Sequence, residues 1–291
     1  MAQLDQRLPQ NVAGEFFVDA SCIDCDACRQ IAPATFRDHG EQSSVYRQPQ
    51  SPDEVRRALM ALVACPTASI GTATRRSARP GVEAFPDPVV DDVYFCGFTS
   101  ESSFGAWSYL VVRPVERGGN VLVDSPRFTA PLVNRIARMG GVSLMLLTHR
   151  DDIADHDKFA ARFECPRVMH GADGAAALGI ERVITGTDPV EIDDDFLLIP
   201  TPGHTRGHQV FLHREKVLFT GDHLAWSPTR QTLQAFRNAC WYSWPEQIRS
   251  MEKLLAYRFE SVLPGHGRIH HDSAEAMHEH LERCVAWMKT R

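Results

Sequence analysis

No stretch of this sequence stays apolar over the ~20 residues that a membrane-spanning helix requires. Its first residues, MAQLDQRLPQ, lack the basic-then-apolar pattern of a secretory signal. Concentrated positive charge is also missing. Lys and Arg number 31 against 37 Asp and Glu, the net charge is −6, and the two signs are interspersed. Nucleic acid and anionic membrane surfaces are therefore poor partners, because phosphate groups demand a clustered positive field. There is no Walker loop, no Gly-x-Gly-x-x-Gly and no Gly-x-Ser-x-Gly elbow, which removes the common nucleotide-binding and serine-hydrolase signatures. Internal repeats and low-complexity tracts are absent too. The composition that remains, 43% hydrophobic and 23% charged over 291 residues, suits one large globular domain or a small one plus a medium one. The expected location is the cytoplasm, where thiols stay reduced, so the eight cysteines are read for spacing rather than for pairing.

Three of them form Cys22-x-x-Cys25-x-x-Cys28, and a fourth, Cys65, precedes Pro66. Cys96, Cys165, Cys240 and Cys284 show no such spacing. Two-residue intervals let successive thiolates curl around one small object, and a distant Cys-Pro closes the shell. Soft thiolates in this pattern suit a 4Fe-4S cluster. The competing reading is a four-cysteine zinc, which more often uses two separate pairs. The flanks FFVDASCIDCDACRQIAPATFR and PDEVRRALMALVACPTASIGT resemble the single-cluster bacterial ferredoxins from about Gly14 to Thr72. That resemblance implies a one-electron carrier; a structural staple for a domain of this size is the alternative. The following TRRSARPGVEAFPDPVVDD is rich in Pro and Arg without apolar periodicity and reads as a linker.

Beyond it, short β-rich runs (WSYLVVRP, NVLVDSP, VSLMLLT) alternate with amphipathic stretches such as TAPLVNRIARMGG, PEQIRSMEKLLAYRF and DSAEAMHEHLERCVAWM. QVFLHREKVLFTGD reads as a hairpin turning at Arg214-Glu215. Four polar clusters each follow an apolar strand: THRDDIADH (His149, Asp151, Asp152, Asp155, His156), PTPGHTRGHQ (His204, His208), FTGDHLAW (Asp222, His223) and LPGHGR (His266). Strand ends on one sheet edge converge, so these loops point to one metal site, with glycines permitting sharp turns.

The set and its order resemble the metallo-β-lactamase superfamily from about Asp92 to Arg268, and TPGHTRGHQVF with LFTGDHL resembles its hydroxyacylglutathione hydrolase branch, a thioesterase group. The implied fold class is α+β: a small ferredoxin-like domain (residues 1–76), a linker (77–88) and an αββα metallo-β-lactamase sandwich (89–291). The resemblance places His149 and His204 on a first divalent metal and Asp155, His156 and His266 on a second, with Asp222 bridging. It makes Asp155 and Asp222 the catalytic carboxylates, and a hydroxide between the metals the nucleophile. The family has a second His where this chain has Asp151, and two extra residues separate that position from Asp155-His156. Either Asp151 replaces the His on the first metal while the loop bulges, or the first site is crippled and Asp151 and Asp152 are solvated. A carboxylate there shifts preference from zinc toward iron or manganese. Flavodiiron proteins, which share the fold, carry a carboxylate at that position, so the resemblance also implies an oxidoreductase in which the cluster feeds a diiron site. A non-catalytic iron–sulfur adaptor is the third reading. The implied partners are a small-molecule substrate and a redox partner protein.

Other residues read more simply. His170 is taken as capping, His208 and His223 as orienting ligands at most, and Arg206 and Arg268 as solvated. His270, His271, His278 and His280 are taken as exposed, and Trp241, Tyr242 and Trp244 as packing residues.

Overall fold

A computed structural model describes residues 2–291. It divides into two compact units, the first built from Met1–Val112, Ser125–Gly141 and Ala154–Lys158, the second from Arg113–Asp124, Val142–Ile153 and Phe159–Arg291. Among the described residues no helix is long and apolar enough to cross a membrane.

In the first unit, Phe16–Val18 pairs antiparallel with Ile70–Thr72, and Phe36–Asp38 with Ser43–Val45. The helix Pro52–Ala64 starts where the sequence says it should. The Ser51 side chain accepts from Glu54 N, Pro52 sits in the first turn where its missing N–H costs nothing, and Asp53 and Glu54 favour the positive end of the helix. Its apolar face, with Ala58, Leu59, Met60, Ala61, Val63 and Ala64, is buried. Pro66 prevents continuation, so the helix delivers Cys65 at its end.

The stretch 77–88 is not the structureless linker its composition suggests. It carries the helix Arg79–Glu83 and the start of the strand Asp87–Val90. Gly81 explains how the short helix docks: a Cβ there would lie 2.5 Å from Leu59 C and 2.9 Å from Met60 N, so only glycine lets the two helices approach this closely. Arg57 Nη1 reaches Asp87 at 3.1 Å. The compact unit therefore runs past residue 76 to Val112, through the antiparallel strands Asp87–Val90, Val93–Phe95 and Tyr109–Val111.

In the second unit, Val121–Val123, Leu144–Leu146, Arg167–His170 and Arg182–Ile184 run parallel, side by side. A six-stranded sheet follows, in the order 190–193, 196–200, 209–213, 217–221, 261–264, 270–271, antiparallel except where Val217–Gly221 meets Ser261–Pro264. Gln209–His213 and Val217–Gly221 form the expected hairpin, with Arg214 and Glu215 both at positive φ, as a tight two-residue turn demands. The helices Trp244–Leu254 and Ala274–Met288 cover this sheet through Met251, Leu254, Met277, Leu281, Val285 and Met288. Gln209 N donates to Thr148 O at 2.9 Å, tying the second sheet to the end of the Leu144–Leu146 strand. The strand ends that carry the polar clusters lie at this edge.

Candidate metal centres

In the first unit, Cys22, Cys25, Cys28 and Cys65 line one small cavity with Val18, Ile23, Ala27, Ser43, Thr67, Ser69 and Ile70. The loop between the first three curls because Asp24 and Asp26 both adopt positive φ, and Arg29 pairs with both carboxylates. Ser43 N lies 3.5 Å from Cys22 Sγ and Ser69 N 3.3 Å from Cys65 Sγ, donors aimed at sulfur. Burial pushes the Cys25 thiol up to about 12, so ionising this apolar pocket demands a strong counter-charge. A single tetrahedral zinc would hold its sulfurs about 3.8 Å apart. Among the described residues, the groups of three donors lying within 4.8 Å of one another do not include these cysteines. Four thiols around one cavity suit a cubane cluster. Gly105, at positive φ, closes over the pocket: a Cβ there would lie 2.9 Å from Cys25 Sγ.

In the second unit two groups of donors converge: His149, His204 and Asp222, and Asp152, Asp222 and His266. His149 Nε2 and His204 Nε2 each lie 3.7 Å from Asp222 Oδ2, and 3.9 and 3.4 Å from Asp151 Oδ2. A tetrahedral ion with bonds of about 2.0–2.2 Å spaces its ligands by about 3.4 Å, so one ion fits among His149, His204 and Asp222, with Asp151 beside the two rings. Asp222 turns its other oxygen the opposite way, with Oδ1 2.7 Å from His266 Nδ1.

The polar atoms are prepared for a ligand. His149 Nε2, both ring nitrogens of His204 and both oxygens of Asp152 are buried without a hydrogen-bond partner. Such groups cost free energy unless something pairs with them, and a metal ion does. His149 Nδ1 lies 3.0 Å from Thr148 Oγ1, whose hydroxyl donates to Asp124. This chain fixes the tautomer that leaves Nε2 as a lone pair. Burial holds His149 down to about 4, so it stays neutral. Burial and the neighbouring Asp222 push Asp152 well up. Burial works to raise Asp222 as well, but the rings of His266, His149 and His204 outweigh it and hold it below its ordinary value.

Glycines permit the close approach of the loops. Gly221, at φ +48°, would place a Cβ 2.7 Å from Thr148 Oγ1. Gly265 has no room for one beside Asp152, and a Cβ would also lie 3.0 Å from Asp222 Oδ1. Asp173, which the sequence did not single out, staples the first two ligand loops. It accepts from Arg150 N at 3.1 Å, Thr205 Oγ1 at 2.6 Å and Gly207 N at 2.6 Å. Like Asp124, it lies just beyond an apolar strand, the same signal that marks the ligands.

The sequence reading is corrected at one point. Asp155 and His156 belong to neither donor group. They fall in the first unit, where Asp155 accepts from Lys158 Nζ at 2.6 Å and Phe128 N at 2.7 Å, and His156 opens the helix His156–Phe163. The loop does not bulge to restore the family's Asp-His. Instead Asp152, adjacent to Asp151, takes the place beside Asp222 and His266, and the later pair is absorbed into a helix start. His170 is structural, its Nδ1 accepting from Ala172 N. His208 Nδ1 is 3.0 Å from Thr201 Oγ1, and its ring stands 4.5 Å from that of His223, both buried. Trp241 and Tyr242 are not core residues: they are 64% and 48% exposed, and both backbone N–H groups donate to His204 O.

Known proteins resemble both parts of the chain. Residues 18–72 match the 4Fe-4S single cluster domain of Ferredoxin I. The DIM-1 metallo-β-lactamase superposes with a TM-score of 0.52 at 19% identity, over 69% of this chain and 95% of that one. VMB-1 superposes at 0.51 with 18% identity, over 70% and 96%. These likenesses establish the metallo-β-lactamase fold. In sequence, the hydroxyacylglutathione hydrolase of Mesorhizobium japonicum is 31% identical over 120 residues, 40% of this chain and 47% of that protein. That of Rhizobium etli is 28% identical over 142 residues, 47% and 52%. The chain thus spans about half the length of the curated relatives it matches. It is a metallo-β-lactamase-fold protein with a single-cluster ferredoxin domain at its N-terminal end.

Proposed function

We propose that the chain is a metal-dependent hydrolase acting on a thioester or related ester. In this reading His149, Asp151, His204 and Asp222 hold one divalent ion, and Asp152, Asp222 and His266 hold a second. The observation that carries it is the set of buried, unpartnered donors of His149, His204 and Asp152 turned toward one shared carboxylate. When bound, the ions supply Lewis acidity and a nucleophile at neutral pH, so no Ser or Cys nucleophile is required. Thr148 and Asp124 keep His149 in its ligating tautomer, Asp173 holds the two ligand loops in register, and Trp241 and Tyr242 offer an exposed apolar wall fixed to His204. The likeness to proteins named hydroxyacylglutathione hydrolases supports thioesters as the substrate class.

One observation favours a second reading. The two donor groups and the neighbouring Asp151 together offer three carboxylates, a hard set that prefers iron or manganese over zinc, in a chain with a ferredoxin-type domain. That set suits a diiron oxidoreductase fed by the cluster and a redox partner protein. The test is metal and sulfide analysis of anaerobically purified protein beside Cys22→Ala, with a thioester screen. Two zincs surviving in the variant, with thioester turnover, support the hydrolase. Two irons without turnover favour the redox reading. One ion or none overturns the dinuclear site.

A further inference from the structure

A third group of donors lies apart from both centres. His270 opens the strand His270–His271, Asp272 follows it, and His280 lies in the helix Ala274–Met288; their three donor atoms are within 4.8 Å of one another. Asp272 Oδ2 is 3.8 Å from His270 Nε2 and 3.5 Å from His280 Nε2. These separations approach the spacing of about 3.4 Å between ligands on a tetrahedral ion.

The three groups are held from behind. The His270 ring stacks flat on Trp226, with centroids 3.5 Å apart and planes within 8°, and His280 stands edge-on to the same indole at 4.8 Å. Asp272 Oδ1 accepts from Ser273 N at 2.8 Å, which fixes the carboxylate and leaves Oδ2 toward the rings. Thr232 Oγ1 donates to His280 O at 3.1 Å, anchoring the backbone of that helical turn. His270 Nε2 is buried with no hydrogen-bond partner, a polar atom that a hydrogen-bonded triad would have satisfied. His280 is itself buried, contrary to the exposed position its helix suggested.

We propose that His270, Asp272 and His280 form a separate mononuclear site for a divalent transition metal of the zinc class, joining the strand His270–His271 to the helix Ala274–Met288. Two imidazoles and one carboxylate are borderline donors that select zinc-like ions over calcium or magnesium. The Asp272 side chain is 41% exposed, so water completes the coordination. Arg283 Nη2 donates to His280 Nδ1 at 2.5 Å, which places the His280 proton on Nε2. Metal binding moves that proton to Nδ1 and releases the exposed arginine. Arg283 therefore competes with the ion.

The test uses full-length, cluster-loaded protein equilibrated with Zn2+ and desalted, with metal counted per chain. The wild type should carry one zinc more than His270→Ala or Asp272→Asn, with iron and acid-labile sulfide unchanged. Arg283→Ala should bind that zinc more tightly, once the competing donor is gone. Anomalous scattering at the zinc edge should place the ion between the three side chains. Equal zinc in wild type and Asp272→Asn overturns the site. If His270→Ala fails to fold because Trp226 loses its stacking partner, the isosteric Asp272→Asn decides alone.

Discussion

Asp152→Asn should move stability in opposite directions with and without metal. The Asp152 carboxyl is buried, neither oxygen has a partner, and Asp222 is its neighbour. Without metal, burial and Asp222 force the carboxyl to hold a proton at a free-energy cost, and Asn removes that cost while keeping the shape. An unsatisfied buried polar group costs about 1–3 kcal/mol, and more when charged. A domain of this size shifts its melting point by about 2–4 °C per kcal/mol. The chelator-treated variant should therefore melt roughly 2–12 °C above chelator-treated wild type. With metal the sign reverses. If a bound zinc contributes about 10–16 kcal/mol over four ligands, one ligand is worth about 2.5–4 kcal/mol, or roughly 10²–10³ in affinity. The variant should lose the second ion on desalting while keeping the one between His149 and His204. Scanning calorimetry with and without EDTA, beside metal counts, measures both. A variant that keeps two ions and melts with wild type in both conditions would refute the placement of Asp152 at the second site.

Asp155→Ala should leave metal content and turnover unchanged and cost only about 0.5–1.5 kcal/mol, because its carboxylate serves Lys158 and Phe128 N; loss of an ion would restore the family's own ligand pattern. Gly265→Ala should cost the second ion but spare the first, since its methyl group would press on Asp152 and Asp222; quantitative metal analysis of the folded variant decides. Asp195 is buried against Arg113, Arg117 and Arg214. Burial alone would raise its carboxyl, but Arg214 and Arg117 hold it down to about 2. Against an unfolded value of about 3.9, its stabilisation is complete above about pH 4 and is lost as pH falls toward 2. Asp195→Asn should flatten that part of the acid-unfolding curve and cost about 1.5–3 kcal/mol at neutral pH, because Arg117 and Arg214 lose their buried charge partner while Arg113 keeps Asp193 at 2.9 Å, as denaturant melts would show.

What the sequence made legible was what local spacing determines. The Cys22–Cys28 triplet declares itself because three ligands lie within one loop. His149, His204, Asp222 and His266 stand out because each lies within a few residues of the end of an apolar strand. Asp152 did not, since the path of a loop between two strand ends is set by what it packs on, here Gly265 and Asp222, which are far away in sequence. The stretch 77–88 was misread for a related reason. Its helix has no apolar period and depends on the missing side chain of Gly81 against Leu59. Trp241 and Tyr242 look like core residues by type, and only the backbone bonds to His204 O hold them at the surface.

Asp222 gives one oxygen to His149 and His204 and the other toward His266. A carboxylate shared in this way couples the occupancies of the two sites. An ion on one side draws charge from the oxygen that serves the other, while neutralising repulsion with Asp151 and Asp152. Whatever the balance of those effects, thermodynamic linkage makes it reciprocal: the factor by which the first ion alters affinity for the second equals the factor in the reverse order. In the proposed dinuclear site the two ions would therefore form one titrating system, with a half-loaded form set by the concentration of free metal.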